Sequence, residues 1–475
     1  MKLIKQYKKN STVFLVAFSI VMILPSVCFS RTLTQLTPSL TISEEYSDNY
    51  LKDADNKQEE FITSYGLGFS LGFLKPRSQI YLGYNPRYVD YKNFDNRGGL
   101  EHNLSLDGFF TPTKKTDIGV NLAYTSEDDQ ETGDSWENSA NLSGSHQVFK
   151  HTAITAAHSY SQKFDQQVRT GEYLEREKNK TEVGISNQFG KKDRAGLNFT
   201  YSFEDYENSD ADENTEFSPT GYITYWFTPL NGIDTNLSYE KTDFENSNDE
   251  IESYSGHIRY LRTFTRHFDG FVKYRHLYTE RESGNHHVFH PSAGFDWNVT
   301  DDSGISLGLG VLINEWDNEN NDSIDPFLDL NAYKIYDFSK RGSLSITGSS
   351  GYDATNEDSE SLGFSLYYRA GFRLTYQLQK RISSNLFGSF KRNEFNEDAV
   401  NRTDNTIRFG AGLNWSPLKW LRLALSYFYE DFNTDGALRD DYSENKGTFS
   451  VSFVPVNPVR LDTMVSRWQL ERELF

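Results

Sequence analysis

The stretch SLGFSLYYRAGFRLTYQLQ, residues 361–379, decides the fold because its two registers differ in polarity. The even positions, from Leu362 to Leu378, are apolar or aromatic, whereas the odd positions are mainly small or polar and include Arg369 and Arg373. A period of two is the period of a β-strand. Globular proteins usually have strands of about five or six residues, so this one is unusually long. The stretch predicts a long strand with one apolar face, directed to lipid, and one polar, cationic face.

The composition of the chain looks soluble, with a mean hydropathy of −0.66, 24% charged residues and 15% aromatic residues. A closed membrane barrel reconciles this composition with long amphipathic strands. Every second residue of such a barrel faces a water-filled interior, so the mean hydropathy stays low although one complete surface is apolar. A soluble β-propeller or β-helix is the alternative, but the repeat signatures of those folds do not recur here.

Short breaks recur along the chain and alternate with longer, polar loops. The breaks lie near Pro76, Thr113, Lys150, Lys191, Leu230, Arg266, Asp301, Lys340, Lys380, Pro417 and Val456. Short turns in the periplasm and long loops outside are the wiring of outer-membrane barrels. The pattern predicts an all-β, transmembrane, antiparallel up-and-down β-barrel of about 22 strands, within a range of roughly 18 to 24.

Residues 1–30 differ from the rest of the chain and predict a cleaved secretory signal peptide. They have an apolar run from Val13 to Leu24 that ends near Pro25, and a basic start made of Lys2, Lys5, Lys8 and Lys9. A lipoprotein signal through Cys28 is the alternative, which the bulky Val27 disfavours. Cleavage after Ser30 would remove the only cysteine, and with it disulfide and thiol chemistry. Export without a later apolar helix indicates the cell outer membrane of a Gram-negative envelope.

The remaining chain divides into a predicted barrel, residues 31–456, and a C-terminal segment, residues 457–475. The segment is interpreted as a periplasmic tail or a last strand. Very few residues lie between Ser30 and the first strand, which begins near Ser39. Active transporters of 22 strands carry a plug in their lumen. The sequence therefore predicts a barrel with no N-terminal plug domain.

Charge follows the same division between loops and strands. The net charge is −20, and most of the excess acid lies in the long loops. One interpretation is that acidic loops simply keep the surface solvated. The other is that their carboxylates bind divalent cations beside the lipopolysaccharide.

The strand faces predicted to line the lumen carry mainly basic residues. Arginine on the lipid face would cost about 2–4 kcal/mol near the midplane, so an inward position is favoured. Only Asp296 and Asp329 are assigned to the same faces as acids. The cations either pair with further lumenal acids or form a basic pore lining that favours anions. The predicted pore-lining residues are Arg87, Arg259, Lys273, Arg275, Arg369, Arg373, Lys391, Arg408 and Arg422.

No catalytic or cofactor motif has its required context, so the chain is predicted not to be an enzyme and to need no cofactor. The sequence from Gly68 to Gly72 fits G-x-S-x-G, but that motif needs a strand, an elbow and a helix. Here alternation places Ser70 inside a strand, facing the lumen. His286, His287 and His290 lack partners at the spacing of a metal site.

The predicted first strand carries a resemblance. The stretch TPSLTISEEYSDNYL, residues 37–51, contains Glu45-Tyr46-Ser47-Asp48-Asn49 and resembles the opening of the β-barrel porin 2 family. The resemblance implies an outer-membrane barrel associated with exopolysaccharide secretion.

The expected function is therefore a pore for export of exopolysaccharide or for passage of anionic sugars. The alternative is a structural or adhesive barrel with a closed lumen and cation-binding acidic loops. The expected partners are outer-membrane lipids and lipopolysaccharide, with anionic polysaccharide and periplasmic export components as further candidates, and no nucleic acid.

Overall fold

The computed structural model describes residues 33–460 except 95–97, 128–134, 167–172, 208–212, 246–249, 282–283, 301–302, 318–321, 354–364, 398–399 and 436–440. The predicted signal peptide, and the C-terminal segment beyond Arg460, lie outside the described residues. In the described part of the chain, no helix has the length and apolar character needed to cross a membrane.

The described residues form one sheet of 24 strands. The first half comprises Leu33–Ser47 (β1), Glu60–Lys75 (β2), Ser78–Tyr84 (β3), Arg87–Tyr91 (β4), Gly99–Thr113 (β5), Thr116–Glu127 (β6), Ser135–Phe149 (β7), Thr152–Gln166 (β8), Tyr173–Gln188 (β9), Arg194–Glu207 (β10), Asn214–Tyr225 (β11) and Asn231–Phe244 (β12). The second half comprises Glu250–Thr265 (β13), Phe268–Glu280 (β14), His286–Thr300 (β15), Ser303–Trp316 (β16), Ser323–Ser339 (β17), Gly342–Asp353 (β18), Ser365–Gln379 (β19), Ile382–Glu397 (β20), Val400–Leu418 (β21), Leu421–Thr434 (β22), Tyr442–Phe453 (β23) and Val459–Arg460 (β24).

The sheet closes into a barrel of 22 strand positions. Strands β3 and β4 share one position because both pair with β2 and β5, and Pro86, which cannot donate a backbone hydrogen bond, lies between them. Strands β23 and β24 also share a position, since both pair with β1. The antiparallel pairing of β1 with β23 joins the two ends of the chain. The prediction of an antiparallel barrel of 22 strands is confirmed, whereas the absence of a plug stays a prediction.

The outer face of the barrel is apolar, with aromatic side chains near both ends. Leu67 and Phe69, from the middle of β2, are about half exposed to the surroundings of the barrel. Aromatic neighbours at the end of the short turns include Phe338 and Tyr376, with ring centroids 5.9 Å apart. Others lie at the end of the long loops, where the chain of contacts is Tyr239–Tyr254–Tyr278–His287. Two aromatic girdles around an apolar band are the outer surface of a transmembrane barrel.

The pentapeptide Glu45–Asn49 fastens the junction of the first and last strands. The Ser47 hydroxyl donates to the Glu444 carboxylate at 2.7 Å. The backbone and side-chain amides of Asn445 donate to Asp48 at 2.6 and 2.7 Å, and the Asn49 side chain donates to the carbonyl of Ser443 at 3.0 Å. The residues that carried the family resemblance therefore have a structural role at the closure of the barrel.

The wall departs from a regular barrel between β17 and β18. The ladder of paired residues runs only from Ser339↔Gly342 to Leu330↔Ser350. Above it, Ser323–Asp329 pair within the described residues with β16 alone. The Ser350 hydroxyl donates to the carbonyl of Leu328 and accepts from the amide of Leu330, where backbone bonds would otherwise continue. Beyond Ser350, the end of β18 and the start of β19 are not bonded to β17 by a backbone ladder, so they can deviate from the curvature of the wall.

The prediction that Leu366 faces lipid is therefore wrong. Leu366 is 8% exposed and belongs to a buried cluster with Leu277, Val288, Leu312, Phe327 and Tyr352. Residues 350–352 of β18 and 366–368 of β19, which we call the lapped edge, lean inward so that their outer face packs on the lumenal face of β14–β17. Further down β19, Phe372 and Leu378 are 39% and 47% exposed on the outer face, as their register predicts.

Candidate functional site

The strand register places the predicted pore-lining residues on the polar face of the wall, opposite the exposed apolar face. Antiparallel residues directly opposite each other share a face. Arg259 is opposite Lys273, Arg275 is opposite His290, and Arg369 is opposite Lys391. Whether these side chains line a working passage stays a prediction. The complete set is Arg87, Arg259, Lys273, Arg275, Arg369, Arg373, Lys391, Arg408 and Arg422.

On β13 and β14 the cations are neutralised or packed on aromatic rings. Arg259 pairs with Asp296 and lies over the Phe271 ring at 3.9 Å. The Lys273 ammonium is 3.1 Å from Asp329. These contacts match the interpretation that lumenal arginines and lysines pair with lumenal acids.

Two further cations are also engaged. Arg275 lies over the Tyr352 ring at 4.6 Å, so it packs under the lapped edge. Arg87 pairs with Glu101 at 2.6 Å, although the sequence did not identify Glu101 as a lumenal acid. The charge of Arg87 is therefore compensated, as are those of Arg259 and Lys273, whereas Arg275 keeps its charge but is covered by the lapped edge.

The remaining cations form a group on β19–β22, which we call the cationic wall. All of its members are exposed. Arg369 lies directly opposite Lys391, and Arg408 is on the neighbouring strand, opposite Ser389. Like charges directly opposite each other destabilise a sheet. The cationic wall consists of Arg369, Arg373, Lys391, Arg408 and Arg422.

Glu430 compensates the cationic wall only in part. Within the described residues it is the one carboxylate in ion-pair contact with the wall, through Arg408. Its side chain is 2% exposed and is shared with the Lys52 ammonium at 3.1 Å and the Tyr442 hydroxyl at 2.6 Å. The neighbouring acid Asp404 is itself paired with Arg402 at 2.7 Å. An excess of positive charge therefore remains on this side of the lumen.

Aromatic rings lie among these cations. Tyr367 lies two residues before Arg369 on the same face of β19, and the Arg369 guanidinium is 4.6 Å from the centroid of the Tyr367 ring. The Phe387 and Phe428 rings are 6.3 Å apart on the same face. Cations next to aromatic faces can bind a ligand that combines negative charge with flat rings. The site can therefore hold an anion.

Sequence reasoning missed Lys52 and Glu430. Glu430 follows the outward-facing Tyr429 in β22, so extending the alternation by one residue would have placed it on the lumenal face with Arg422. Lys52 has no such signal, because it lies in the loop between β1 and β2 and reaches the lumen by the path of that loop. Its ammonium also lies 5.1 Å from the Tyr442 ring.

The other candidate motifs do not assemble into a site. Ser70 lies within β2, opposite Thr37 and Gly83, with a strand on both sides of it rather than an elbow. His287 stacks on Tyr278 on the outer face, while His290 is buried on the inner face. Across the described residues, no group of three or more histidine, aspartate or glutamate side chains could hold a metal ion.

No protein-family model matches the sequence, and no curated protein matches it. Solved structures do resemble the fold. A variant of the ferric enterobactin receptor PfeA from Pseudomonas aeruginosa matches with a TM-score of 0.55 and 9% identity, over 89% of this chain and 80% of that one. The siderophore receptor PirA from P. aeruginosa matches with a TM-score of 0.53 and 10% identity, over 89% and 81%.

A third match is the ferric-catecholate import receptor Fiu from Escherichia coli K12. Its TM-score is 0.55 and its identity 9%, over 87% of this chain and 81% of that one. At such low identity the likeness shows the fold and not the ligand. It supports an outer-membrane location; cleavage of the signal peptide stays a prediction.

These comparisons correct the functional prediction. A pore for export of exopolysaccharide or for anionic sugars is wrong, because the similar structures are siderophore receptors. The same comparisons give no support to the alternative of a closed structural or adhesive barrel. They also give no support to polysaccharide or export components as partners. The resemblance to the porin 2 family is supported only as far as an outer-membrane β-barrel, and not as an exopolysaccharide-secretion barrel. The chain shares with these structures the fold of a 22-strand outer-membrane β-barrel.

Proposed function

We propose that this barrel takes up a small anionic ligand, of the kind represented by a ferric catecholate chelate, and that the cationic wall contacts the ligand inside the lumen. The similarity in fold to siderophore receptors supports a small-molecule ligand. A ferric tris-catecholate is anionic, because the charge of its three dianionic catecholates exceeds that of Fe³⁺, and its outer surface consists of flat rings.

The observation that carries the proposal is the pairing of Arg369 directly opposite Lys391. Two exposed cations in this position repel each other, and Arg408 on the next strand adds a third. Near a protein surface an opposite charge about 4 Å away contributes roughly 4 kcal/mol of Coulomb energy before desolvation. An anionic ligand between the three strands would replace the repulsion by attraction. The wall is therefore arranged for a ligand and not for its own stability.

The position of the cationic wall also fits a passage. Arg369 and Arg373 lie four residues apart on one face of β19, so their Cα atoms are about 13 Å apart along the wall. Arg422 lies near the end with the short turns, because β22 begins at Leu421. A ligand that enters from the long loops would meet positive charge at successive depths. The nine predicted residues divide accordingly: Arg87, Arg259 and Lys273 are paired with acids, Arg275 packs on the Tyr352 ring, and the five cations of the cationic wall contact the ligand.

The experiment is equilibrium binding of ferric tris-catecholate to purified barrel in detergent, followed by quenching of tryptophan fluorescence. Replacing Arg369 and Lys391 together by Gln should weaken binding at least about a hundredfold, since each charge-assisted contact contributes about 1.5–3 kcal/mol. The matched control is Arg87→Gln, which removes a lumenal cation already paired with Glu101 and should change the affinity less than threefold. Equal loss in both variants would contradict a specific role for the cationic wall.

A further inference from the structure

The lapped edge differs from the regular parts of the wall in the interactions that fix it to the neighbouring strand. Elsewhere, neighbouring strands are joined by backbone hydrogen bonds, which are costly to break where the surroundings are lipid. Among the described residues, Ser323–Asp329 of β17 have no such bonds to β18. Tyr352 instead pairs with Leu366 on β19. The upper part of β18 can therefore move relative to β17 without breaking a backbone ladder.

Beyond the two hydrogen bonds that the Ser350 hydroxyl makes to β17, side-chain packing holds the lapped edge on the wall behind it. The Tyr352 ring contacts the Phe327 ring edge-on, with centroids 5.6 Å apart, and Leu366 completes the cluster. Beneath them Val288 and Leu312 are fully buried. Apolar contacts are non-directional and can re-form after separation, unlike a strand register that must be matched residue by residue.

A buried histidine opposes this packing. His290 is 1% exposed and lies under the lapped edge, 4.9 Å from Phe327 and 5.7 Å from Tyr352 between ring centroids. Within the described residues neither ring nitrogen has a hydrogen-bond partner. The charged groups around it are Lys273, Arg275 and Asp329 on the same lumenal face. Burying a polar group without a hydrogen-bond partner costs free energy. Contact with water, after the lapped edge opens, would remove this cost for His290.

The other face of the lapped edge belongs to the proposed ligand site. Tyr367 lies between Leu366 and Tyr368 in sequence, so its ring is directed to the opposite side of β19. Arg369 lies against that ring. A displacement of the lapped edge would therefore move Tyr367 and the upper end of the cationic wall together.

We propose that the lapped edge is a moving part of the barrel wall. It swings off the lumenal face of β14–β17, exposes Val288 and His290 to water, and shifts Tyr367 and Arg369 at the mouth of the lumen. The apolar cluster stabilises the closed position. The unsatisfied ring of His290 lowers the free-energy difference between the closed and the open positions. This inference does not depend on the identity of the ligand.

The experiment measures how fast a buried thiol reacts with a water-soluble maleimide. The protein carries Val288→Cys as its only cysteine, with Cys28→Ser, and the rate is measured in purified, ligand-free barrel. Leu366→Ser weakens the closing contacts and should accelerate labelling at least tenfold. His290→Leu replaces the unsatisfied ring by an apolar side chain and should slow labelling severalfold. If Leu366→Ser prevents assembly, Leu366→Ala supplies the same arm.

The matched control is Ser202→Cys, a lumenal position on β10 that is 3% exposed and distant from the lapped edge. Its labelling rate should be the same in all three backgrounds. The edge is static if Val288→Cys is labelled at the same rate with and without the changes at Leu366 and His290. It is also static if Val288→Cys is not labelled in any background. Since no ligand is present, this failure would leave the proposed anionic ligand untouched.

Discussion

Replacing Glu430 by Gln is expected to destabilise the barrel far more than removing the charge of an exposed, ion-paired carboxylate of the same wall. Glu430 is 2% exposed, and three groups from different parts of the chain bind it. Arg408 comes from the neighbouring strand, the Lys52 ammonium lies 3.1 Å away in the loop after β1, and the Tyr442 hydroxyl donates at 2.6 Å from β23. The carboxylate therefore joins that loop to the strands near the closure of the barrel.

The size of the effect follows from these contacts. A glutamine keeps the shape of the side chain but loses the charge that attracts Arg408 and Lys52. Removing one partner of a buried ion pair costs about 3–5 kcal/mol, because the other charge is left uncompensated. Arg408 is 52% exposed and can be rehydrated. We therefore expect a loss near the lower limit, about 3 kcal/mol in the free energy of unfolding.

The assay is reversible urea unfolding of the barrel in detergent micelles, followed by tryptophan fluorescence, with Glu394→Gln as the control. Glu394 also pairs with an arginine, Arg392, at 2.6 Å, but the pair is 27% and 45% exposed. Exposed pairs contribute about 0–1 kcal/mol, so the control should lose less than about 1 kcal/mol. A Glu430→Gln variant no less stable than Glu394→Gln would show that the Glu430 carboxylate does not stabilise the closure of the barrel.

Three further predictions concern the closure, the membrane face and the topology. Asp48→Ala removes the acceptor of two hydrogen bonds from Asn445 and should lower the free energy of unfolding by about 2 kcal/mol, measured in the same urea assay. A loss of less than about 0.5 kcal/mol would contradict the role of Asp48 at the junction of the first and last strands. Phe372→Arg should cost about 2–4 kcal/mol and reduce assembly in outer membranes, whereas Arg373→Gln, on the opposite face, should assemble normally; equal yields would show that the register is wrong. Asp55→Cys in the loop after β1 should react with an impermeant maleimide on intact cells and Lys115→Cys in a short turn should not; the reverse would overturn the orientation.

Period-two alternation predicted most of the wall because water on one side and lipid on the other act on every residue of a strand. Phe372 and Leu378 lie on the outer face for this reason, and Arg408 and Arg422 on the inner one. Strand number followed from the breaks, since each short turn forces one reversal of direction.

The sequence could not identify which charges meet. Arg259 and Asp296 belong to strands β13 and β15, and Lys273 and Asp329 to β14 and β17. Such contacts depend on the stagger between strands and on side-chain length, which the alternation within one strand does not contain. The local excess of cations on β19–β22 became visible only when the pairs elsewhere were known.

The lapped edge was missed for a related reason. An apolar residue in the outward register can be buried by lipid or by another part of the protein, and the pattern is the same in both cases. Leu366 and Phe372 occupy the same register of β19, yet one packs on the wall behind it and the other is exposed. The family resemblance failed differently, because the five residues that carried it fasten the barrel and do not specify its cargo.

The central claim, that the lumen receives a small anionic ligand, is tested most directly by comparing two iron chelates of similar size and opposite electrostatic character. Purified barrel is titrated with the anionic ferric tris-catecholate and with a neutral ferric tris-hydroxamate, at low and at high salt. We expect tighter binding of the anionic chelate, with an affinity that falls as salt screens the cationic wall. Equal affinity for both chelates, or preference for the neutral one at low salt, would contradict it.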